Sequence, residues 1–306
     1  MTVSPTVGVD LGGTHIRAVA VDDELAPVGR AEAPTGAEEG VDAVVERGAG
    51  CVTEALAGEA AAGVGVGSAG LIDPWRGRVV LASNLGWRDV PLRDLLASAL
   101  GGATVRVDMD TNAAALAEAR LGAGRGLRHL LYVTVGTGVG GGEVLDGRIY
   151  RGATGGTGQI GHVVVDPGGP PCGCGGRGCV EVYASGAGIV ARAREANVRG
   201  EPTTAAVFAA AAGGDLAAAA VIDAGADALG VALATYVNLN NPEAIVLGGG
   251  VADASPSYRA RVELAMRERA VPALAEVVSV VPGALGDDAG AIGGALLLTE
   301  DDGSSA

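Results

Sequence analysis

Four side chains in one short stretch can do metal chemistry. His162 is followed by Cys172, Cys174 and Cys179, and the three cysteines fall within eight residues. One imidazole and three thiolates suit tetrahedral Zn²⁺, and a full set of four protein ligands predicts a closed, structural site. Glycine and proline between the ligands let a short loop fold around an ion. A zinc here would fix the loop bearing Gln159 and Glu181, and so shape a pocket.

A second group carries carboxylates. Asp108-Met109-Asp110-Thr111-Asn112 sits where a strand should end and a helix begin. Asp110 can cap that helix, or it can accept a proton from a substrate hydroxyl, as phosphoryl transfer to an alcohol requires. Asn84, in Ser83-Asn84-Leu85-Gly86-Trp87, offers both a donor and an acceptor to sugar hydroxyls, while Trp87 is compatible with plain core packing.

Two glycine-rich turns complete the inventory. Asp10-Leu11-Gly12-Gly13-Thr14 can wrap backbone N–H groups around phosphate oxygens, with a hydroxyl at Thr14 and a carboxylate at Asp10 to hold Mg²⁺ through water; an ordinary β-turn reads the same way. Gly136-Thr137-Gly138-Val139-Gly140-Gly141-Gly142 also follows a strand-like run. Gly136, Gly138, Gly141 and Gly65, Gly67, Gly70 match the dinucleotide fingerprint, but in a chain with 53 glycines such matches arise by chance. Neither is followed by the expected acidic residue, and the first leads into a strand. A Rossmann dehydrogenase is disfavoured.

These residues need a scaffold. The 306 residues allow two lobes, and 48% hydrophobic content with 3% aromatics predicts cores of Ala, Val, Leu and Ile. Strands are predicted over 6–10, 15–21, 30–33, 62–66, 104–108, 129–135, 143–149, 243–247 and 277–281. Helices are predicted over 41–56, 89–99, 111–121, 205–238, 258–271 and 288–299, with a loop at 67–73 and a frayed tail from 300. Strand, glycine turn and strand occur twice, at 6–21 and 130–149, which points to two related α/β lobes with a break near Asp110.

Composition narrows the partners. The net charge is -15, and all 21 basic residues are arginine. Nucleic-acid binding is disfavoured by that charge, and a lysine-bearing phosphate loop is excluded. No signal peptide, membrane span or disulfide framework is expected. His15, His129 and Cys51 read as structural.

In their order along the chain, these motifs resemble the ROK family of sugar kinases and repressors. Asp10–Thr14 is similar to its first phosphate loop, Asn84–Trp87 to its sugar loop, and Asp110–Asn112 to its catalytic segment. Gly136–Gly138 is similar to the second phosphate loop, Gly161-His162 with the cysteines and Glu181 to the zinc module, and 242–250 to the adenosine-side strand and turn. The similarity spans residues 6–298.

The resemblance implies an α/β, actin-like and ribonuclease-H-like two-lobed ATPase fold with an inter-lobe cleft. The lobes would be 1–110 with 288–306, and 111–287. It implies an ATP-dependent hexose kinase acting at the 6-hydroxyl, most simply a glucokinase, cytoplasmic and homodimeric, with structural Zn²⁺ and with Mg²⁺ accompanying ATP. Asp110 would be the general base. Asn84, Asn112, Asp110, Gln159, His162 and Glu181 would hold the sugar. Asp10, Gly12, Gly13, Thr14, Gly136, Thr137, Gly138, Gly249 and Gly250 would hold ATP and Mg²⁺.

Gln159 departs from the family's usual Glu. It can donate as well as accept, which keeps kanosamine, N-acetylglucosamine and N-acetylmannosamine open as substrates. A repressor is disfavoured because the first phosphate loop begins at residue 10, leaving no room for a DNA-binding domain. A non-catalytic sugar sensor is disfavoured by intact Asp10, Asp110 and glycine loops. A polyphosphate donor is disfavoured by the low basic content.

Overall fold

The computed structural model describes residues 4–300. The chain forms two compact units. The first comprises the chain up to Arg128, Gly142–Thr157 and the chain from Leu285; the second comprises His129–Gly141 and Gly158–Ala284.

The first unit opens with β1 (Thr6–Leu11), β2 (His15–Val21) and β3 (Pro27–Pro34), then α1 (Val41–Ala55) and β4 (Gly63–Ser68). A small antiparallel sheet follows, β5 (Leu71–Asp73), β6 (Arg78–Ala82) and β7 (Trp87–Val90). Next come α2 (Leu92–Ala99), β8 (Val105–Met109) and α3 (Asp110–Arg120). The main sheet has the order β3-β2-β1-β4-β8. Its β1, β4 and β8 run parallel, and the register sets Asp10 beside Gly67 and Gly67 beside Asp108. Three parallel strands therefore end at one level, and side chains beyond their carboxyl ends collect there, as in other open α/β sheets.

In the second unit β9 (Leu130–Val135) leads to β10 (Val139–Leu145), which passes into the first unit's segment at Gly142, and to β11 (Arg148–Ile149), which lies within that segment. Helices α4 (Glu181–Ala184), α5 (Gly186–Glu195), α6 (Thr204–Ala212) and α7 (Leu216–Asn240) follow. Then come β12 (Ala244–Gly248), α8 (Gly250–Ala254), α9 (Pro256–Arg267), α10 (Pro272–Val277) and β13 (Ser279–Pro282). Helix α11 (Ala289–Leu297) closes the chain within the first unit. The second sheet runs β11-β10-β9-β12-β13, the same strand order as the first, in agreement with the internal repeat seen in the sequence.

Each unit has its own core. In the first, Val7, Val9, Leu11, Ile16, Val64, Val66 and Met109 are buried together. In the second, Leu131, Val133, Leu229, Leu233, Ile245 and Leu247 are. Helix α11 lies directly on the first sheet because both surfaces are small. A Cβ on Gly8 would come within 1.7 Å of the Ala291 carbonyl oxygen, and one on Gly65 within 1.8 Å of that of Gly294.

Several boundaries differ from expectation. The break expected at Asp110 falls instead at Arg128/His129, because α3 packs on α11: a Cβ on Gly293 would lie 1.8 Å from the Ala113 carbonyl oxygen. The helix expected over 89–99 begins only at Leu92, since Asp89 sits at φ 55 in β7 and Pro91 precedes the first turn. The loop at 67–73 contains β5. The helical stretch 205–238 is two helices, separated at Gly213-Gly214, where Gly214 has φ 91. Val277 ends α10 rather than starting β13. Helix α7 is long and apolar enough to cross a membrane by length and composition, unlike the expectation, but half of its apolar window is buried in the second core. Of the tail expected to fray, Glu300 is buried and pairs with Arg120 at 3.0 Å; the remainder lies outside the described residues.

Candidate active site and metal centre

The first unit's site begins at the β1–β2 turn. The Gly12 N–H donates to the His15 carbonyl at 3.0 Å, and the Thr35 hydroxyl donates to the Gly12 carbonyl at 2.7 Å. Thr35 is fully buried and also donates its N–H to the Thr14 carbonyl at 2.8 Å. It anchors the turn and was not singled out in the sequence, where an isolated Thr carries no signal. Gly13 presses on the sugar-loop candidate, since a Cβ there would lie 2.8 Å from Asn84 Nδ2. Asn84 is exposed, whereas Trp87 is buried in the core.

Asp10, next to last in β1, lies against the first turn of α11, where a Cβ on Gly290 would lie 2.8 Å from its carboxyl carbon. Burial raises its pKa to about 6, opposed by the Arg17 guanidinium and assisted by Asp287. Asp110 is the first residue of α3, with Met109 as the N-cap, so it does not cap the helix in the usual position. Its Oδ1 accepts the Thr111 N–H at 2.7 Å. Burial, then repulsion from Asp10, raises its pKa to about 7, against the pull of the Thr111 N–H. Like charges brought close push one another's proton affinity upward. Two carboxyls with raised pKa values, one near the end of β1 and one just beyond β8, with β4 between these strands, make this a candidate functional site. Asn112 is fully buried, and its Nδ2 donates to Asp108 Oδ1 at 2.8 Å. It therefore stands behind Asp110 as a brace.

In the second unit the turn after β9 is closed by Gly136 N–H to the Gly138 carbonyl at 3.0 Å. Its outward side is held by the start of α5, where Gly186 N–H donates to the Gly136 carbonyl at 2.8 Å. Glu181 braces the same turn: its Oε2 accepts the Val139 N–H at 3.1 Å. The second turn, Gly249-Gly250, needs glycine at its first position, where φ is 90 and a Cβ would lie 2.5 Å from Thr134 Oγ1. Gln159 is exposed, and its carbonyl accepts the His162 N–H at 3.0 Å.

The zinc prediction meets a compact ligand set. One ligand atom from each of His162, Cys172, Cys174 and Cys179 lies within 4.8 Å of the others. Cys172 Sγ is 3.7 Å from His162 Nδ1, and Cys174 Sγ is 3.7 Å from Cys179 Sγ. Zn–S bonds of about 2.3 Å in a tetrahedron require edges of about 3.8 Å, so the set fits Zn²⁺. The loop is shaped by Gly178, at φ 61 against the Asp166 carbonyl, and by the Cys172 N–H to Gly176 carbonyl bond at 2.9 Å. The Gly176 N–H holds the Cys174 thiol below its usual range, while burial pushes Cys179 up to about 12. Loading the site with a cation would therefore release protons.

Comparison with known proteins places the chain in a family. A family model described as the ROK family matches residues 6–301. A glucokinase from Halalkalibacterium halodurans is 38% identical, covering 97% of this chain and 96% of its own. An N-acetylmannosamine kinase from Citrobacter koseri is 36% identical, covering 97% and 99%. A solved ROK family glucokinase from Streptomyces griseus, in complex with glucose and AMPPNP, superimposes with a TM-score of 0.85 at 32% identity, over 96% of this chain and 99% of that one. These likenesses show a mixed α/β fold of the two-lobed, actin-like type. The chain is a sugar kinase by kinship, and it belongs to the ROK family.

Proposed function

We propose that this protein transfers the γ-phosphoryl group of ATP to the 6-hydroxyl of a hexose, with glucose as the first candidate. The observation that carries the reading is Asp110: a carboxylate at the head of α3 whose pKa, raised to about 7, suits a general base working near neutrality. Asp110 would take the hydroxyl proton as the sugar oxygen bonds to the γ-phosphorus. The bond from that phosphorus to the bridging oxygen breaks, and ADP leaves. Such transfer depends on alignment and charge neutralisation more than on covalent help.

Asp10 would orient Mg²⁺, and the turns at Gly12–Thr14 and Gly136–Gly138 would present N–H groups to phosphate oxygens. Asn84, Gln159, His162 and Glu181 would hold the sugar, with Asn112 supporting Asp110. His162, Cys172, Cys174 and Cys179 would hold Zn²⁺, which supplies rigidity to that loop and no chemistry. The same reading includes a homodimer in the cytoplasm.

Gln159 favours a second reading within the class. Relatives that act on different sugars resemble the chain almost equally, at 38% and 36% identity, so kinship alone does not select the sugar. An exposed amide that both donates and accepts suits an amino or N-acetyl sugar. A coupled ADP-release assay with Mg-ATP against glucose, mannose, kanosamine, N-acetylglucosamine and N-acetylmannosamine tests both. One sugar with kcat/KM far above the rest names the substrate. No turnover with any of them counts against these sugars and turns the reading to a sugar sensor or to a rarer hexose.

A further inference from the structure

Asp108 is a buried carboxylate, 1% exposed, that the proposed chemistry does not use. All its contacts concern the joint between β8 and α3. Its Oδ1 accepts the Met109 N–H at 2.8 Å and Asn112 Nδ2 at 2.8 Å. Its Oδ2 accepts Arg151 Nε at 2.6 Å. A carboxylate only accepts, so the amide of Asn112 must turn its NH₂ end toward Asp108. Asn112 Oδ1 is left buried with no partner of its own.

The joint needs such a brace. The N-cap Met109 makes no side-chain capping bond to the first turn of α3. Asp108 supplies the missing tie from one residue earlier, by gripping Asn112 in that first turn. On the other side Gly67 crowds the joint, where a Cβ would lie 3.1 Å from the Asp110 Cα. Arg151 reaches this point from the segment after β11, and it supplies the countercharge without which a buried carboxylate is unstable. Arg151 and Asp108 both line a cavity of about 410 Å³ that Trp75, Arg93, Arg106 and Glu300 also line. The Arg151 side chain keeps 20% exposure against 2% for that of Asp108, so the ion pair is not sealed from solvent.

We propose that Arg151 and Asp108 are positioning residues that set the reach of Asp110 by locking the β8–α3 joint through Asn112. The inference rests on the reading of Asp110 as the base. Asp110 lies between the two gripped residues, Asp108 and Asn112, so slack in the grip moves its carboxylate directly. Displacement of a catalytic group by about 1 Å costs on the order of 10²-fold in rate.

The test uses the full-length protein carrying Arg151→Ala, Arg151→Lys or Asp108→Asn, with each change also made on Asp110→Asn. The expected result is a kcat lowered about 10²-fold in Arg151→Ala, with KM for sugar and for ATP within about twofold of wild type. Lysine, a point charge without the guanidinium fork, recovers part of the loss. On Asp110→Asn the same changes lower the residual rate no further, because they act through a base already removed. An unchanged kcat, or an equal loss in both backgrounds, overturns the proposal.

Should Arg151→Ala fail to fold, Arg151→Lys and Asp108→Asn are read by the same criteria. Hydrogen exchange over residues 109–113 reads the brace without turnover. Faster exchange there in the variants is expected, and unchanged exchange overturns the idea. Wild type that phosphorylates no hexose counts against the kinase reading alone, and the exchange measurement still decides the brace.

Discussion

Asp110 and Asp10 are identical side chains that the fold sets in different surroundings. Both are drawn from water, but Arg17 pulls Asp10 back toward ionisation, while Asp110 has no countercharge and only backbone N–H groups, those of Thr111 and of Asp110 itself, to offset burial and the neighbouring charge. Asp10 is thereby the better ligand for a cation and Asp110 the better acceptor of a proton. Replacement of Asp110 by Asn keeps the shape and removes the base, so kcat should fall about 10²–10⁴-fold while sugar binding, measured calorimetrically, persists. The sign of the pH effect follows from the same cause. A base raised to about 7 is protonated and idle below that pH, so kcat/KM for the sugar should rise as pH increases through about 7 and level off above it. A flat profile from pH 5 to 8 would remove Asp110 from the role. Because the two carboxyls interact, the measured value belongs to the pair.

At the scale of elements, the closest packing in the first unit is glycine against backbone. Helix α11 meets β1, β4 and α3 through Gly8, Gly65 and Gly293, at approaches that only a missing Cβ permits. Gly293→Ala places a methyl 1.8 Å from the Ala113 carbonyl, and backbone cannot step aside as a side chain can. Overpacking of this kind costs about 1–3 kcal/mol, and thermal unfolding should show the upper part of that range. Since the strain falls on α3, turnover should suffer before the fold is lost.

The sequence made the twin hairpins legible, because glycine runs after β-branched residues leave few alternatives, and it made the small face of α11 visible. It hid the interruption at Pro91, where apolar spacing at Val90, Leu92 and Leu96 imitates a helix that starts earlier. The metal ligands were readable because they lie close together in the chain. Thr35 and Arg151 were not, since Thr35 acts 23 residues away and Arg151 acts 43 residues away from its partner Asp108, at distances only the folded hairpins close. Asn112 was assigned to the sugar from its place in a motif, and its complete burial beside Asp108 shows that a motif position need not face the ligand.

For the whole molecule, two cores of like topology carry unlike supports. The first unit is built on glycine contacts and on Glu118, a buried carboxylate that accepts the Ala123 N–H at 2.7 Å and the Leu285 N–H at 2.9 Å and so ties down both ends of a chain excursion. The second contains the loop of His162, Cys172, Cys174 and Cys179, whose backbone is held by a few turns and the isolated bridges Val164–Cys179 and Pro171–Arg177. Such a loop has few ladder hydrogen bonds of its own, and an ion held by these four side chains would supply order to it. Metal analysis should find about one Zn²⁺ per chain. Chelation or Cys174→Ser should then loosen residues 160–184 in hydrogen exchange, while α3 and the first sheet keep their protection. The sugar KM should rise more than the ATP KM, because Gln159, His162 and Glu181 ride on that loop, whereas the Gly12–Thr14 turn does not and the Gly136–Gly138 turn is tied to it through the Glu181–Val139 bond. Loss of protection across both units on chelation would instead make the ion a support of the entire fold, and an unchanged KM would free the sugar site from the metal.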